Sequence, residues 1–175
     1  MTNKTAVRDI HPNEIESFRK SLSNESTTLV PNDKGYEEAL IRWAVNAQLK
    51  AGLIVKAFTL DDVVATVNFA RKHGCDFTVR GGGHSPSGHS SSNGGIVLDM
   101  RKRNKVQVDV EKKLVHVQAG AVWKEVYDAA WEHGLAVVGG SVENVGVGGL
   151  TLAGGIGFLT RKYYRNIYRY FFTVP

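Results

Sequence analysis

The glycines of this chain are gathered into two short stretches rather than spread along its length. Of the 19 glycines, six lie in residues 81–95 and nine lie in residues 134–157. A backbone without Cβ atoms can adopt positive φ angles, and its N–H groups can approach another backbone or a phosphate closely. The clustering therefore predicts two loops that together cradle a long, phosphate-bearing ligand.

The residues before the first stretch predict a β-α-β unit. Residues 53–55 are typical of a buried strand, and the spacing of Thr59 and Asp62 is that of a capping box. The helix that follows would place one apolar face inward and end at Gly74, with the stripe Val63, Val64, Val67 and Ala70. The next strand, residues 77–80, would deliver the glycine loop at the carboxyl end of a parallel strand, where ligands commonly bind.

The rest of the chain predicts an α+β fold with a mixed sheet. Strand patterns occupy residues 95–99, 106–110 and 113–117, and a helix over 121–133 ends before Gly134 with its tryptophans packed on the core. The first fifty residues predict a helical arm made of three parts: a weakly amphipathic segment 11–24, a linker 23–28, and a helix 36–49 with Leu40, Trp43, Ala44 and Ala47 on one face.

Composition and charge exclude several functional classes. With 175 residues, 42% of them hydrophobic, the chain is long enough for one well-buried domain. Its net charge of +5 is concentrated after Glu143, so no basic stripe for nucleic acid is expected; the cations there are Arg161, Lys162, Arg165 and Arg169. The chain has no apolar run of membrane-spanning length and no signal-peptide pattern, and it has a single cysteine, Cys75. We therefore expect a cytoplasmic protein with no membrane partner.

The glycine stretches fit none of the common nucleotide motifs. No Gly-Lys-Ser/Thr follows the first, and the second fails Gly-x-Gly-x-x-Gly because Thr151 stands at the sixth position. His84 ends the first glycine run, where a histidine is not needed for packing, so it is the strongest candidate for chemistry. A metal site made of His84, His89 and either Cys75 or Asp99 is an alternative, although the spacing of its ligands defines no geometry.

Three motifs taken in order resemble a known family. They are residues 80–88 (RGGGHSPSG), 93–100 (NGGIVLDM) and 148–160 (GGLTLAGGIGFLT). This pattern resembles the FAD-linked oxidases of the p-cresol methylhydroxylase and vanillyl-alcohol oxidase superfamily. It is most similar to the branch that contains berberine-bridge-enzyme-like and 6-hydroxy-D-nicotine-oxidase-like proteins, over about residues 53–163.

The resemblance implies a fold and a cofactor site. Residues 51–163 would form a partial FAD-binding PCMH-type domain, a small β-α-β subdomain followed by a mixed-sheet subdomain, incomplete at its C-terminus. His84 stands where the family joins a histidine to the flavin 8α-methyl group. Val142 stands where some relatives carry a second, cysteinyl link, so a single bond is expected. The implied FAD-binding set is Arg80, Gly81, Gly82, Gly83, His84, Ser85, Gly140, Val145, Gly146, Gly148, Gly149, Gly155 and Gly157.

The resemblance also implies an activity and a limit to it. The family passes hydride from an organic substrate to FAD and electrons to O2, and Val145 occupies the position tied to oxygen access. Residues 164–175 match nothing expected of the family, so we interpret them as an aberrant tail from a frameshift, a retained intron or a truncated gene model. The substrate domain and catalytic base would be missing, leaving a chain inactive alone, with an unknown substrate and no assignable catalytic residue. The alternative is a non-catalytic FAD-binding fragment or a regulator of a full-length paralogue.

Overall fold

A computed structural model describes residues 4–163, so the tail predicted over 164–175 lies outside the described residues. Helices and strands are mixed along the chain. They are, in order, a 3-10 turn Val7–Asp9, α1 Pro12–Ser21, β1 Thr27–Leu29, α2 Tyr36–Leu40, a 3-10 turn Val45–Ala47, β2 Leu53–Lys56, α3 Leu60–His73, β3 Phe77–Arg80, β4 Ile96–Asp99, β5 Val106–Asp109, β6 Leu114–Val117, α4 Trp123–Trp131, α5 Val147–Ala153 and α6 Thr160–Tyr163.

The main sheet has four strands in the order β1-β2-β4-β3. Strands β2, β4 and β3 are parallel, whereas β1 pairs antiparallel with β2. The two central strands are buried on both faces, which explains their continuous apolar runs. Strands β5 and β6 form a separate antiparallel pair. The predicted α+β class with a mixed sheet is confirmed.

Helix α3 begins and ends as its sequence predicts. The Thr59 hydroxyl accepts from the Asp62 N–H at 3.1 Å, the Asp62 carboxylate accepts from the Thr59 N–H at 2.7 Å, and Gly74 is left-handed with φ 62°. The predicted apolar stripe is partly wrong, because Val64 is exposed. The buried residues of the helix are Asp62, Thr66, Phe69 and Ala70, so Ala70 is the one member of the predicted stripe that is buried.

The N-terminal segment differs from its prediction in two places. The helix predicted over 36–49 ends at Leu40, because the guanidinium of Arg42 folds back and donates to the carbonyls of Ala39, Leu40 and Ile41 at 3.0 Å. Trp43 and Ala47 therefore do not share a helical face. The predicted linker 23–28 contains the start of β1, which pairs with β2 through Leu29 and Ile54.

The helix predicted over 121–133 forms as α4, and Gly134 follows with a positive φ of 65°. Its start is closed by the Glu125 carboxylate, which accepts from the Val122 N–H at 2.8 Å. Trp123 packs in a core with Ala121, Val126 and Val147. The expectation that both tryptophans pack is wrong for Trp131, the last residue of the helix, which is 80% exposed.

Candidate functional site

The two glycine stretches meet in direct backbone contact. A Cβ atom added to Gly82 would lie 2.3 Å from the Gly146 nitrogen, and one added to Gly146 would lie 2.4 Å from the Gly82 nitrogen. Real Cβ atoms do not approach a backbone this closely, so both positions require glycine for this packing. Residues 64 positions apart thus form one junction at the end of β3.

The first stretch leaves the carboxyl end of the parallel strand β3, as predicted. Gly83 has a φ of 75°, a conformation that L side chains rarely adopt. A Cβ atom on it would lie 3.1 Å from both Arg42 Cδ and Arg80 Nε, so two arginines lie against the loop. A Cβ atom on Gly81 would lie 3.3 Å from the Ala119 carbonyl oxygen.

The second stretch is not wholly a loop, and its prediction as one is wrong at α5. Gly146 is the N-cap residue, and the chain is helical over Val147–Ala153 before Gly154 turns it with a φ of 82°. The helix is fixed at its start, where the Val147 N–H donates to the Ala121 carbonyl at 2.9 Å and the Val147 side chain is buried. Gly148 lies against Ala119, whereas a Cβ atom on Gly149 would have open space.

The remaining predicted glycines pack chain against chain. A Cβ atom on Gly157 would lie 1.6 Å from the Gly139 carbonyl oxygen, and one on Gly155 would strike the Leu150 side chain. Gly140 lies against Leu150 and Trp123 in the same way. Gly140 and Gly155 thus both lie against Leu150, and Gly157 lies against the backbone of residues 139–140, so their small size allows these chain segments to pack closely.

Arg80 is buried and its guanidinium holds neighbouring backbone. It donates to the Ala39 carbonyl at 2.7 Å and the Ile41 carbonyl at 2.8 Å, and it lies 3.7 Å from the Asp99 carboxylate. Burial, followed by the charge of Arg42, lowers the pKa of Arg80 to about 10. Arg80 therefore places a positive charge beside the glycine loop while its N–H groups bind carbonyls of residues 39 and 41.

Arg42 is a second buried arginine, and sequence reasoning missed it. Its guanidinium donates to the Ser90 carbonyl through Nε at 3.1 Å and Nη2 at 2.9 Å, and burial lowers its pKa. The prediction placed it inside a helix, where an arginine is normally solvated. No local motif marks it, because its partners are backbone carbonyls, and the one that ties it to the glycine loop, that of Ser90, lies 48 residues away.

The charges behind the loop do not cancel. Arg42, Arg80 and Arg101 surround one buried carboxylate, Asp99, which Arg101 binds at 2.7 Å. Within residues 4–163, the buried Nε of Arg80 has no hydrogen-bond partner. Excess positive charge beside close-packed glycine backbone is the chemistry that an anionic diphosphate requires, so these residues fit such a group.

His84 follows Gly83 and is half-buried. Its imidazole stacks on the indole of Trp43, with ring centroids 5.7 Å apart and planes inclined by 19°. Ser85 turns the chain that follows, and its hydroxyl accepts from the His89 N–H at 3.2 Å. Val145 precedes the glycine junction, and its carbonyl accepts from the Trp123 N–H at 3.1 Å.

The structure separates the residues of the alternative metal site. Cys75 is buried in the core that Val7 and Phe18 share, and the Asp99 carboxylate is paired with arginines. Between residues 4 and 163 there is no group of three or more histidine, cysteine, aspartate or glutamate side chains that could hold a metal ion. Nor does that part of the chain contain a helix with the length and apolar content needed to cross a membrane.

An apolar cleft of about 380 Å³ lies on the side of α4. Trp131 and Phe158 form part of its walls, and both are exposed. Its polar groups include Ser141 and Glu143. None of the residues of the junction between the first glycine loop and Gly146 lines it, so the cleft is distinct from that junction.

Comparison with known proteins gives concordant results. Residues 51–171 match the family described as FAD binding domain. The (R)-6-hydroxynicotine oxidase of Paenarthrobacter nicotinovorans is 34% identical over 142 residues, which are 81% of this chain and 31% of that protein. An uncharacterized FAD-linked oxidoreductase of Bacillus subtilis (strain 168) is 38% identical over 130 residues, 74% of this chain and 29% of the relative. The chain thus spans about a third of the length of these relatives.

Solved structures show the same likeness. The crystal structure of 6-hydroxy-D-nicotine oxidase from Arthrobacter nicotinovorans superposes with a TM-score of 0.78 at 34% identity, over 81% of this chain and 31% of that one. The berberine-bridge-enzyme-like protein 1 of Physcomitrella patens gives a TM-score of 0.78 at 26% identity, over 91% of this chain and 33% of its own. The resemblance inferred from the three sequence motifs is confirmed.

Proposed function

Because this chain belongs to the FAD binding domain family, we propose that it is the FAD-binding part of an oxidase, with the diphosphate of the cofactor held at the junction of its two glycine stretches. The observation that carries the proposal is the mutual backbone contact of Gly82 and Gly146. Glycine at both positions places no side chain over the backbone there, and two arginines lie beside Gly83 and supply positive charge. Both features favour an anion.

The proposed roles of the site residues differ in kind. The backbone of Gly81, Gly82, Gly83 and Ser85 would bind the diphosphate from one side, and the start of α5 from Gly146 to Gly149 would bind it from the other. Arg80 would act through its charge, since its side chain is held by carbonyls. The set Gly140, Val145, Gly155 and Gly157 would shape the wall beside the cofactor, a role that suits their close packing.

His84 would hold the flavin through a single covalent bond. The bond would join an imidazole nitrogen of His84 to the flavin 8α carbon. It would replace one methyl hydrogen and the imidazole N–H hydrogen, and dioxygen would take up both hydrogens with their electrons and leave as hydrogen peroxide. Val142 provides no sulfur for a second bond. The position of His84 directly after the left-handed Gly83 supports this role, because the loop fixes where its side chain begins.

When bound, the flavin supplies a hydride acceptor for an organic substrate and a route for electrons to an acceptor, which we propose is O2. The small side chain of Val145, next to the glycine junction, is the feature of this chain that favours oxygen access. The relative that is named as an oxidase, the (R)-6-hydroxynicotine oxidase, is about three times as long as this chain. The second candidate is therefore a chain that binds FAD without turnover, and the short span of the match is the observation that favours it.

The test is a comparison of flavin ligands. The purified His84→Ala chain, in which no covalent bond can form at this position, is titrated with FAD, FMN and riboflavin while flavin fluorescence is recorded. Binding of FAD that is at least tenfold tighter than that of FMN or riboflavin supports a diphosphate cradle. Equal affinity for the three ligands, or binding of none, contradicts it. Substrate oxidation with peroxide release then separates the oxidase from the silent alternative.

A further inference from the structure

We propose that Trp43 is a positioning residue for His84. The Trp43 indole would hold the His84 imidazole in one orientation before the flavin is attached. The inference rests on the proposed function of His84 as the flavin anchor. Trp43 lies 41 residues upstream, in the segment that the sequence predicts as a plain helix. The family motifs that mark His84 do not include it.

The geometry of the ring pair is the first support. The indole and imidazole are nearly parallel, inclined by 19°, with centroids 5.7 Å apart. This is the offset arrangement that aromatic pairs prefer. Trp43 is 66% exposed, so burial in a core does not explain a tryptophan at this position.

The backbone around the stack is also fixed. The Trp43 N–H donates to the Gly83 carbonyl at 3.1 Å, and the Asn46 side-chain amide donates to the Pro86 carbonyl at 3.1 Å. Arg42 adds its two bonds to the Ser90 carbonyl. Residues 42–46 therefore form a strap that is tied to the loop at three points, one before His84 and two after it.

The stack leaves the reacting atom free. The lone pair of an imidazole nitrogen lies in the plane of the ring, whereas the indole is stacked against that ring with its own plane nearly parallel. Bond formation with the flavin carbon proceeds in the plane, so Trp43 restricts rotation of the ring without blocking attack. A histidine side chain that reacts loses rotational freedom about its own bonds, and ordering it in advance lowers that cost.

The test uses three substitutions and three measurements. Trp43→Leu removes the ring, Trp43→Phe keeps a smaller one, and Trp131→Leu is the matched control at another exposed tryptophan. In the flavin-free protein, proton NMR records the ring-current shift of the His84 imidazole. Separately, the rate of covalent attachment is followed after addition of FAD, and FAD affinity is measured for each substitution in a His84→Ala background.

We expect Trp43→Leu to abolish the ring-current shift of the His84 protons and to slow attachment roughly 2- to 10-fold, with FAD affinity unchanged. Trp43→Phe should restore most of both signals, and Trp131→Leu should change neither. An unchanged His84 spectrum in Trp43→Leu overturns the proposal, and so does an attachment rate equal to that of the parent. A fall in affinity that alone accounts for the slower attachment also overturns it.

Failure of the proposed function gives a different result. If the parent chain binds FAD and never attaches it, the covalent role of His84 is wrong. The flavin-free spectra still decide whether Trp43 orders His84, because they need no cofactor. Loss of the shift in Trp43→Leu with recovery in Trp43→Phe supports the ordering, and its persistence in Trp43→Leu overturns it.

Discussion

Gly82→Ala tests the glycine junction directly. The new Cβ atom would lie 2.3 Å from the Gly146 nitrogen and 2.9 Å from its Cα, whereas ordinary contacts of a Cβ atom begin at about 3.4 Å. The two backbones must therefore separate by about 1 Å, and neither is the free end of a flexible side chain. Overpacking of this kind costs about 1–3 kcal/mol.

Gly149→Ala is the matched control, because the same methyl group there meets nothing within 4 Å. Gly149 lies inside α5, where alanine is favoured over glycine by about 1 kcal/mol. Urea denaturation should thus show opposite signs, with Gly82→Ala destabilised by about 1–3 kcal/mol and Gly149→Ala stabilised by up to about 1 kcal/mol. A Gly82→Ala protein as stable as the parent would refute the close contact.

Two further predictions concern buried charge. Burial raises the pKa of Asp62, but hydrogen bonds from Ser23, Thr59 and Ser26 outweigh it and hold that pKa well below its usual range. The carboxylate therefore stabilises the fold above about pH 4, and that stabilisation is lost as the pH falls further. Asp62→Asn should lower the unfolding free energy in urea by about 2–3 kcal/mol at pH 7, and this difference from the parent should shrink towards pH 3. A pH-independent difference would contradict this. Arg42→Lys keeps the charge, but a lysine cannot reach all four carbonyls that the guanidinium binds. The substitution should therefore lower the unfolding free energy in urea by about 1–3 kcal/mol. An unchanged unfolding free energy would show that Arg42 does not anchor the strap to the loop.

The parts of the fold that the sequence predicts well are those with local causes. Helix α3 is framed by a capping box at Thr59 and a left-handed Gly74, and both signals lie within the segment itself. The junction of the glycine stretches was also predictable in kind, since close backbone approach demands glycine at both Gly82 and Gly146.

The parts that escaped prediction depend on distant partners. Helix α2 stops early because Arg42 occupies its last carbonyls, and that turn is stabilised by Ser90 far along the chain. The stack of Trp43 on His84 has the same origin, since two irregular segments bring the rings together. Periodicity in the sequence reports which face of a regular element is apolar, and it carries no information about contacts between loops.

Covalent attachment of flavin at His84 tests the central claim most directly. The purified chain and its His84→Ala variant are incubated with FAD under air, unfolded, separated on a denaturing gel and viewed under acid for flavin fluorescence, and the labelled peptide is identified by mass. We predict a fluorescent band in the parent, with the added mass on the peptide that contains His84, and a dark band in the variant. A dark parent band, or fluorescence that persists in His84→Ala, would contradict the account.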